Sequence, residues 1–264
     1  MKHNYLTVSV LGLAALLYGP SKAVAQLSSF AVLGGSTVTN TATPTVVTGD
    51  LGVSPGSAVT GFPPGIVTGG TIHAADAVAA QAQSDLTTLY TNLANTACNT
   101  DLTGQDLGGL TLTPGVYCFS TSAQLTGTLT LNAQGNSAAR FIFKIGSTLT
   151  TASASSVVLI NSASSCGVFW QIGSSATLGT GTTLAGNIVA LTSVTLNTGA
   201  SVNGRALARN GAVTLDNSHV TVCSGGPGLP LSVEAIPTLS GWAMIVLTGL
   251  LILSGLAAMR RRAT

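Results

Sequence analysis

Charge is what this chain has least of. Asp, Glu, Lys and Arg make up 6% of its 264 residues, where an ordinary soluble domain runs near about 25%. That composition does not suit a typical cytoplasmic enzyme, because proton transfer needs clustered carboxylates or a carboxylate beside a base. Aromatic residues are scarce too, at 5%, which argues against a conventional aromatic-rich core. The 3 His and 4 Cys show no ligand spacing, so neither a metal nor another cofactor is expected. The formal net charge of +2 misleads, since Lys2, Lys22 and Arg260 to Arg262 lie in the terminal segments. Between residues 26 and 235, Arg140, Lys144, Arg205 and Arg209 stand against Asp50, Asp76, Asp85, Asp101, Asp106, Asp216 and Glu234, which is 4 − 7 = −3. Nothing here forms the basic stripe that nucleic acid requires.

Glycine and threonine are abundant instead, at 32 and 37 residues. Such a composition could describe a low-complexity linker, but 45% apolar residues and a mean hydropathy of +0.53 provide ample material for burial. A folded body is therefore expected.

The two ends read as addresses. Residues 1–25 begin with Lys2 and His3, continue through the apolar run Leu6 to Leu17 and finish at Ala23-Val24-Ala25, the small-x-small pattern of a cleaved export signal. At the other end Trp242 to Met259 carries no charge and Arg260-Arg261-Arg262 follows at once, which predicts a transmembrane helix over 242–262 with a cytoplasmic basic end. The segment Ile236-Pro237-Thr238-Leu239-Ser240-Gly241-Trp242 resembles the IPTL-type C-terminal sorting signal of Gram-negative bacteria. That resemblance implies processing or anchoring at the cell envelope, with 226–241 as linker and sorting motif.

The body, 26–225, repeats. Ser175-Ala176-Thr177-Leu178-Gly179-Thr180 recurs as Ser193-Val194-Thr195-Leu196-Asn197-Thr198 and again as Ala212-Val213-Thr214-Leu215-Asp216-Asn217. Upstream, Phe141 to Ser147 matches Val168 to Ser174, with an insertion near Ala152 to Ser165, and Gly35 to Thr39 is echoed by Gly56 to Thr60. A short period with strand-like alternation marks a mainly β fold, a solenoid of triangular cross-section. One coil holds three short strands, for example Ile188 to Leu191, Ser193 to Asn197 and Ala200 to Val202. Alternation points Ala176, Leu178, Val194, Leu196, Val213 and Leu215 inward. The outward set is then Thr37, Thr39, Thr60, Thr148, Thr150, Ser175, Thr177, Ser193, Thr195 and Thr214, with Ala58 and Ala212, a face with hardly any charge.

Between the repeat blocks, Ala75, Val78, Ala79, Ala82, Leu86, Leu89, Tyr90 and Leu93 recur at three- and four-residue intervals. The spacing predicts one long amphipathic helix over 71–97, packed along a flank of the solenoid. Four cysteines in an exported chain suggest disulfides, and three connectivities are open. Cys98 and Cys118 enclose a short loop and are the preferred pair. The strand register puts Cys166 and Cys223 about three layers apart, roughly 14 Å, so a second bridge is not expected.

Thr48 to Gly56, Leu112 to Tyr117, Val168-Phe169-Trp170-Gln171 and Val202 to Ala208 resemble, in this order, the motifs of the microbial ice-binding-protein family. The resemblance implies a discontinuous right-handed β-solenoid with a flanking helix, its N-terminal coil inserted beside the C-terminal one. It also implies an ice-binding face on one flat strand stack, and the outward set above occupies the matching stack. The family's Thr-x-x-Thr/Asn pattern is matched by Thr177 to Thr180, Thr195 to Thr198 and Thr214 to Asn217. The partner so implied is ice or ordered water, with a membrane contact through the C-terminal helix before any processing, and a monomer is expected. A non-enzymatic envelope adhesin or structural solenoid is the competing reading.

The remaining ionisable residues read as structural. Asp50 falls at a corner as a turn former, Asp76 and Asp85 lie on the solvated face of the helix, and Arg205 and Arg209 project to one side for an ion pair or corner hydrogen bonds. His73 and His219 lack identifiable partners. The glycine-rich stretch Gly65 to Gly70 lacks phosphate-loop spacing.

Overall fold

Alternation decides the inner faces first. In Ala176–Leu178, Val194–Leu196 and Val213–Leu215 the flanking residues are buried and the central threonine is half-buried. The computed structural model describes residues 23–41, 44–225 and 228–230. Within them these strands belong to a parallel sheet of seven, ordered Ala123–Leu125, Leu149–Thr151, Ala176–Leu178, Val194–Leu196, Val213–Leu215, Thr37–Asn40, Ala58–Thr60. Sequence order breaks after Val213–Leu215, where the N-terminal strands continue the stack. The discontinuity implied by the family resemblance is therefore present. Residues 1–22 of the expected export signal, and the sorting motif and membrane helix after residue 230, lie outside the described residues, while Ala23 to Ala25 of the signal fall in the helix Ala23–Ser29. Among the described residues no helix is long and apolar enough to cross a membrane.

Two further parallel stacks close the coil. One runs through Gly115–Phe119, Phe141–Ile145, Val168–Ile172 and Phe30–Gly34, the other through Thr128–Asn132, Ser156–Ile160, His219–Thr221 and Val46–Thr48. Three separate strands per coil are expected from the sequence. Instead, Thr183–Ala190 and Ser201–Ala208 each run across a corner, pairing in one stack with their first residues and in the other with their last. Gly186 and Gly204 make that bend, with φ of 116° and 149°. A Cβ on Gly204 would lie 2.0 Å from the Gly186 carbonyl oxygen. Gly204→Ala is accordingly expected to cost about 3 kcal/mol or more. An unchanged urea midpoint would contradict the close approach.

The few aromatic rings are concentrated rather than dispersed. Parallel register stacks Tyr117 on Phe143 and Phe143 on Trp170, with centroids 5.5 and 4.1 Å apart. The rest of the interior is Val, Leu, Ile and Ala in aligned rows, so a narrow coil fills without many large side chains.

α2 (Ala77–Asn95) is shorter than the helix expected over 71–97, because Ile72–Ala74 pairs as a strand with Leu51 to Val53. Ala75 takes a φ of 52° and Asp76 caps α2, its Oδ1 accepting from the Ala79 amide at 2.8 Å. The expected stripe is otherwise present, with Ala79, Ala82, Leu86, Leu89 and Leu93 buried. The helix carries the chain from strand Ile72–Ala74 at one end of its stack to Thr100–Asp101 at the other. Nineteen helical residues provide about 28 Å of that path. Its apolar side packs on outward Val116, Ile142, Phe169, Val189 and Leu207, a second core that the coil could not bury alone.

Several ionisable residues behave differently from expectation. His73 does have partners: Nδ1 meets Asp76 Oδ2 at 2.7 Å and Nε2 meets Thr71 Oγ1 at 2.8 Å. Asp85 is not on a solvated face but buried, because α1 (Ala23–Ser29), a helix absent from the periodicity reading, packs against α2. Gln81 donates to its Oδ1 at 2.9 Å, Oδ2 has no partner, and desolvation pushes the carboxyl pKa up. Arg205 is buried and forms corner hydrogen bonds, not an ion pair, donating to Asn187 Oδ1 at 2.7 Å and the Ser28 carbonyl at 2.6 Å. Arg209 instead lies over the Tyr90 ring, 4.8 Å from its centroid.

The amide of Ala79 holds the Asp76 carboxyl below its ordinary value of 3.8, with His73 adding to the effect. A depressed folded value means stability that is present above the unfolded pKa and lost as pH falls through the folded one. Asp76→Ala should therefore cost about 1 kcal/mol at pH 7, with the gap to wild type closing in acid below 3.8. Thermal melts across pH check this, and a gap independent of pH would contradict it.

Both disulfides form, which corrects the expectation of one. Cys98 pairs with Cys118, and Cys166 with Cys223 at a Cα–Cα distance of 5.4 Å. Strand register misleads here because Cys166 sits in the inserted segment, which crosses several layers. Ser165 reaches Asn203 at 3.1 Å and Ser164 reaches the Gly225 carbonyl at 3.0 Å.

Candidate functional face

The seven-stranded sheet places every residue of the outward set on its outer surface. Its central row is Gln124, Thr150, Thr177, Thr195, Thr214, Thr39 and Thr60, one from each strand. A second row, two residues earlier along the chain, is Ser122, Thr148, Ser175, Ser193, Ala212, Thr37 and Ala58; the last two pair within their strands and the other five each lie one residue before theirs. Neighbours along a row are about 4.8 Å apart and the two rows roughly 6.7 Å apart. Sequence comparison missed Ser122 and Gln124. Their strand Ala123–Leu125 has the same buried-exposed-buried pattern, but Gln replaces Thr at the diagnostic position.

The hydroxyls of this face are not equivalent. Among the described residues those of Thr150, Thr177, Thr195 and Thr214 make no hydrogen bond to protein, forming an unbroken row of four available groups. Thr60 donates to Thr39 at 3.2 Å, and Ser122 meets Thr148 at 2.8 Å. Ser175 and Ser193 have a structural duty, their oxygens accepting from the Ser193 and Ala212 amides of the next coil at 3.3 and 3.2 Å.

Neither row carries a charge within the sheet. Carboxylates occur only at its borders among the described residues. Asp106 adjoins Gln124, where the amides of Gly108 and Thr126 donate to its Oδ1 at 2.7 and 2.8 Å. Desolvation opposes ionisation of Asp106, yet hydrogen bonds from Thr126 and Gly108 win and its pKa is lowered. Asp216 lies past the end of Val213–Leu215 and accepts from the Thr198 hydroxyl.

The third stack is also rich in Thr and Ser, which makes it a useful comparison. Its hydroxyls bond one another, Thr128 with Ser156 at 2.9 Å and Thr48 with Thr68 at 3.2 Å. Its outer surface is interrupted by Val158 and Ile66, exposed by 42% and 50%. Threonine content alone therefore does not distinguish the faces; free hydroxyls in a regular row do. No group of three or more His, Cys, Asp or Glu among the described residues could hold a metal ion.

The architecture has close counterparts among solved ice-binding proteins. A sequence model described as ice-binding-like matches residues 32–221. The chain belongs to this family. Within the ice-binding-like family it is 64% identical over 195 residues to the ice-binding protein of Nostoc sp. (strain HG1), an alignment covering 74% of this chain and 71% of that one. An ice-binding protein from an Antarctic biological consortium superposes with a TM-score of 0.73 at 44% identity, covering 76% of this chain and 90% of that one. A second ice-binding protein, from the Antarctic ascomycete Antarctomyces psychrotrophicus, gives a TM-score of 0.73 at 39% identity over 76% of this chain and 98% of its own. The IPTL-CTERM motif matches residues 234–263, as the terminal segment suggested.

Proposed function

We propose that this chain is a non-enzymatic ice-binding protein that adsorbs to ice through the seven-stranded face, inhibiting ice growth and recrystallisation. The observation carrying this reading is the free, uncharged hydroxyl row Thr150, Thr177, Thr195, Thr214 on adjacent strands. Parallel strands fix the groups on a lattice, and β-branched Thr is stiff at χ1. Each methyl restrains nearby water while each hydroxyl hydrogen-bonds it, so the hydration layer joins a crystal at little further entropic cost. Single contacts are weak, but many engaged together on a rigid surface make detachment rare. Thr37, Thr39, Thr60, Thr148, Ser175 and Ser193 extend the surface around the central row.

Residues 1–25 direct export in this reading, and the segment matched by the IPTL-CTERM motif sorts the protein to the envelope, with the apolar helix 242–262 as its membrane contact. The body acts as a monomer. Purified residues 26–230 should inhibit ice recrystallisation at low concentration. A folded but inert body would instead favour the adhesin reading, to which the envelope-sorting motif also lends support.

A further inference from the structure

On the helix-covered stack the outward residues of one row are Cys118, Lys144, Gln171, Val189, Leu207 and Leu33 in successive strands. Val189, Leu207 and Leu33 are fully buried in the cluster that includes α2, which is the apolar chemistry a covered position favours. Gln171 breaks the pattern. It is 6% exposed, and its side-chain amide makes no hydrogen bond to protein among the described residues. The amide atoms are not sealed off, however: they keep solvent contact and are free to bond a molecule in the space they face.

Gln171 lines an open cleft of about 410 Å³ near the C-terminal half of α2, together with Tyr90, Asp101, Ser120 and Lys144. Asp101 uses Oδ1 to accept from Thr103, leaving Oδ2 without a protein partner. Lys144 donates to the Thr96 carbonyl at 2.6 Å and retains further protons to donate. The cleft thus combines an aromatic ring with an amide, a carboxylate, a hydroxyl and an ammonium. Arg209 covers one face of the Tyr90 ring, so recognition falls to the polar groups, which as donors and acceptors match the alternating hydroxyls of a pyranose.

We propose that this cleft binds one hexose unit, either as a free sugar or at the end of a glycan, independently of the ice-binding face. Saturation-transfer NMR on the full chain in deuterated detergent, with methyl β-glucoside, methyl β-galactoside and a linear glucose oligosaccharide, tests this. At least one monosaccharide should show saturable transfer with a Kd on the order of 1 mM. Transfer confined to the terminal residue of the oligosaccharide identifies a glycan end, and stronger response to the monosaccharide identifies a free sugar. Gln171→Leu should weaken binding about tenfold without lowering the melting temperature, and Ser120→Ala should weaken it with the fold retained. Ice recrystallisation inhibition should be unchanged in both variants. Absence of saturable transfer from all three sugars, the result if the cleft holds only water, would overturn the proposal. Transfer unaltered in both variants would do the same.

Discussion

Ice grown with the Thr195→Asp protein is expected to keep the habit it has in pure water, with recrystallisation inhibition reduced by at least about tenfold. Thr195 is central in the free row, paired in register with Thr177 on one side and Thr214 on the other. A carboxylate there would hold a tight hydration shell whose geometry differs from that of ice, and the disturbance would reach both neighbours. Thr177→Tyr should act by a different route, its ring standing above the plane and preventing close approach over several strands. Neither outward substitution removes a buried contact, so stability should change by only about 0.5 kcal/mol. The third stack provides the control. Thr183→Asp adds the same charge to a Thr- and Ser-bearing surface, where Ser201 donates to Thr183 at 3.4 Å, and should leave ice activity intact. Equal losses from Thr183→Asp and Thr195→Asp would mean that net charge, not the row, sets activity. Retained thermal hysteresis in the folded Thr177→Tyr/Thr195→Asp protein would reject this face.

The largest loss of stability should follow from opening the Cys166–Cys223 bridge. It closes a segment with a sequence separation of 57, against 20 for Cys98–Cys118. Chain entropy then gives about 4 kcal/mol for the longer link and about 3 kcal/mol for the shorter one. The longer link also ties the inserted segment to the end of the last C-terminal strand, beside Arg205, whose Nη1 lies 3.1 Å from Cys223 Sγ. Cys166→Ser with Cys223→Ser should therefore lower the urea midpoint more than Cys98→Ser with Cys118→Ser. The reverse order would show that the inserted segment holds its place without the covalent tie.

Most of the candidate face was legible in the sequence because one rule governs it. A strand has a two-residue period, and the internal repeat fixes which residues share a row, so Thr177, Thr195 and Thr214 align without knowledge of the coil's shape. Gln124 escaped because its strand keeps the alternation but not the threonine. The second disulfide escaped for a different reason. Register measures distance between strands, whereas Cys166 lies in a segment that leaves its layer and crosses others. Asp85 looked solvated because helix periodicity reports one covered side, and contact with α1 covers part of another. The distinction between free and engaged hydroxyls was also hidden, since Ser175 and Thr177 alternate identically in sequence but only the former accepts an amide from the next coil.

The most direct measurement is ice-plane affinity: a fluorescently labelled body is allowed to adsorb to a single-crystal ice hemisphere, beside an equally labelled Thr195→Asp protein. The wild type should produce bright, bounded patches on particular planes, and the variant should leave the hemisphere uniformly dark while remaining folded. Identical patches from both proteins would contradict the assignment of ice binding to the seven-stranded face.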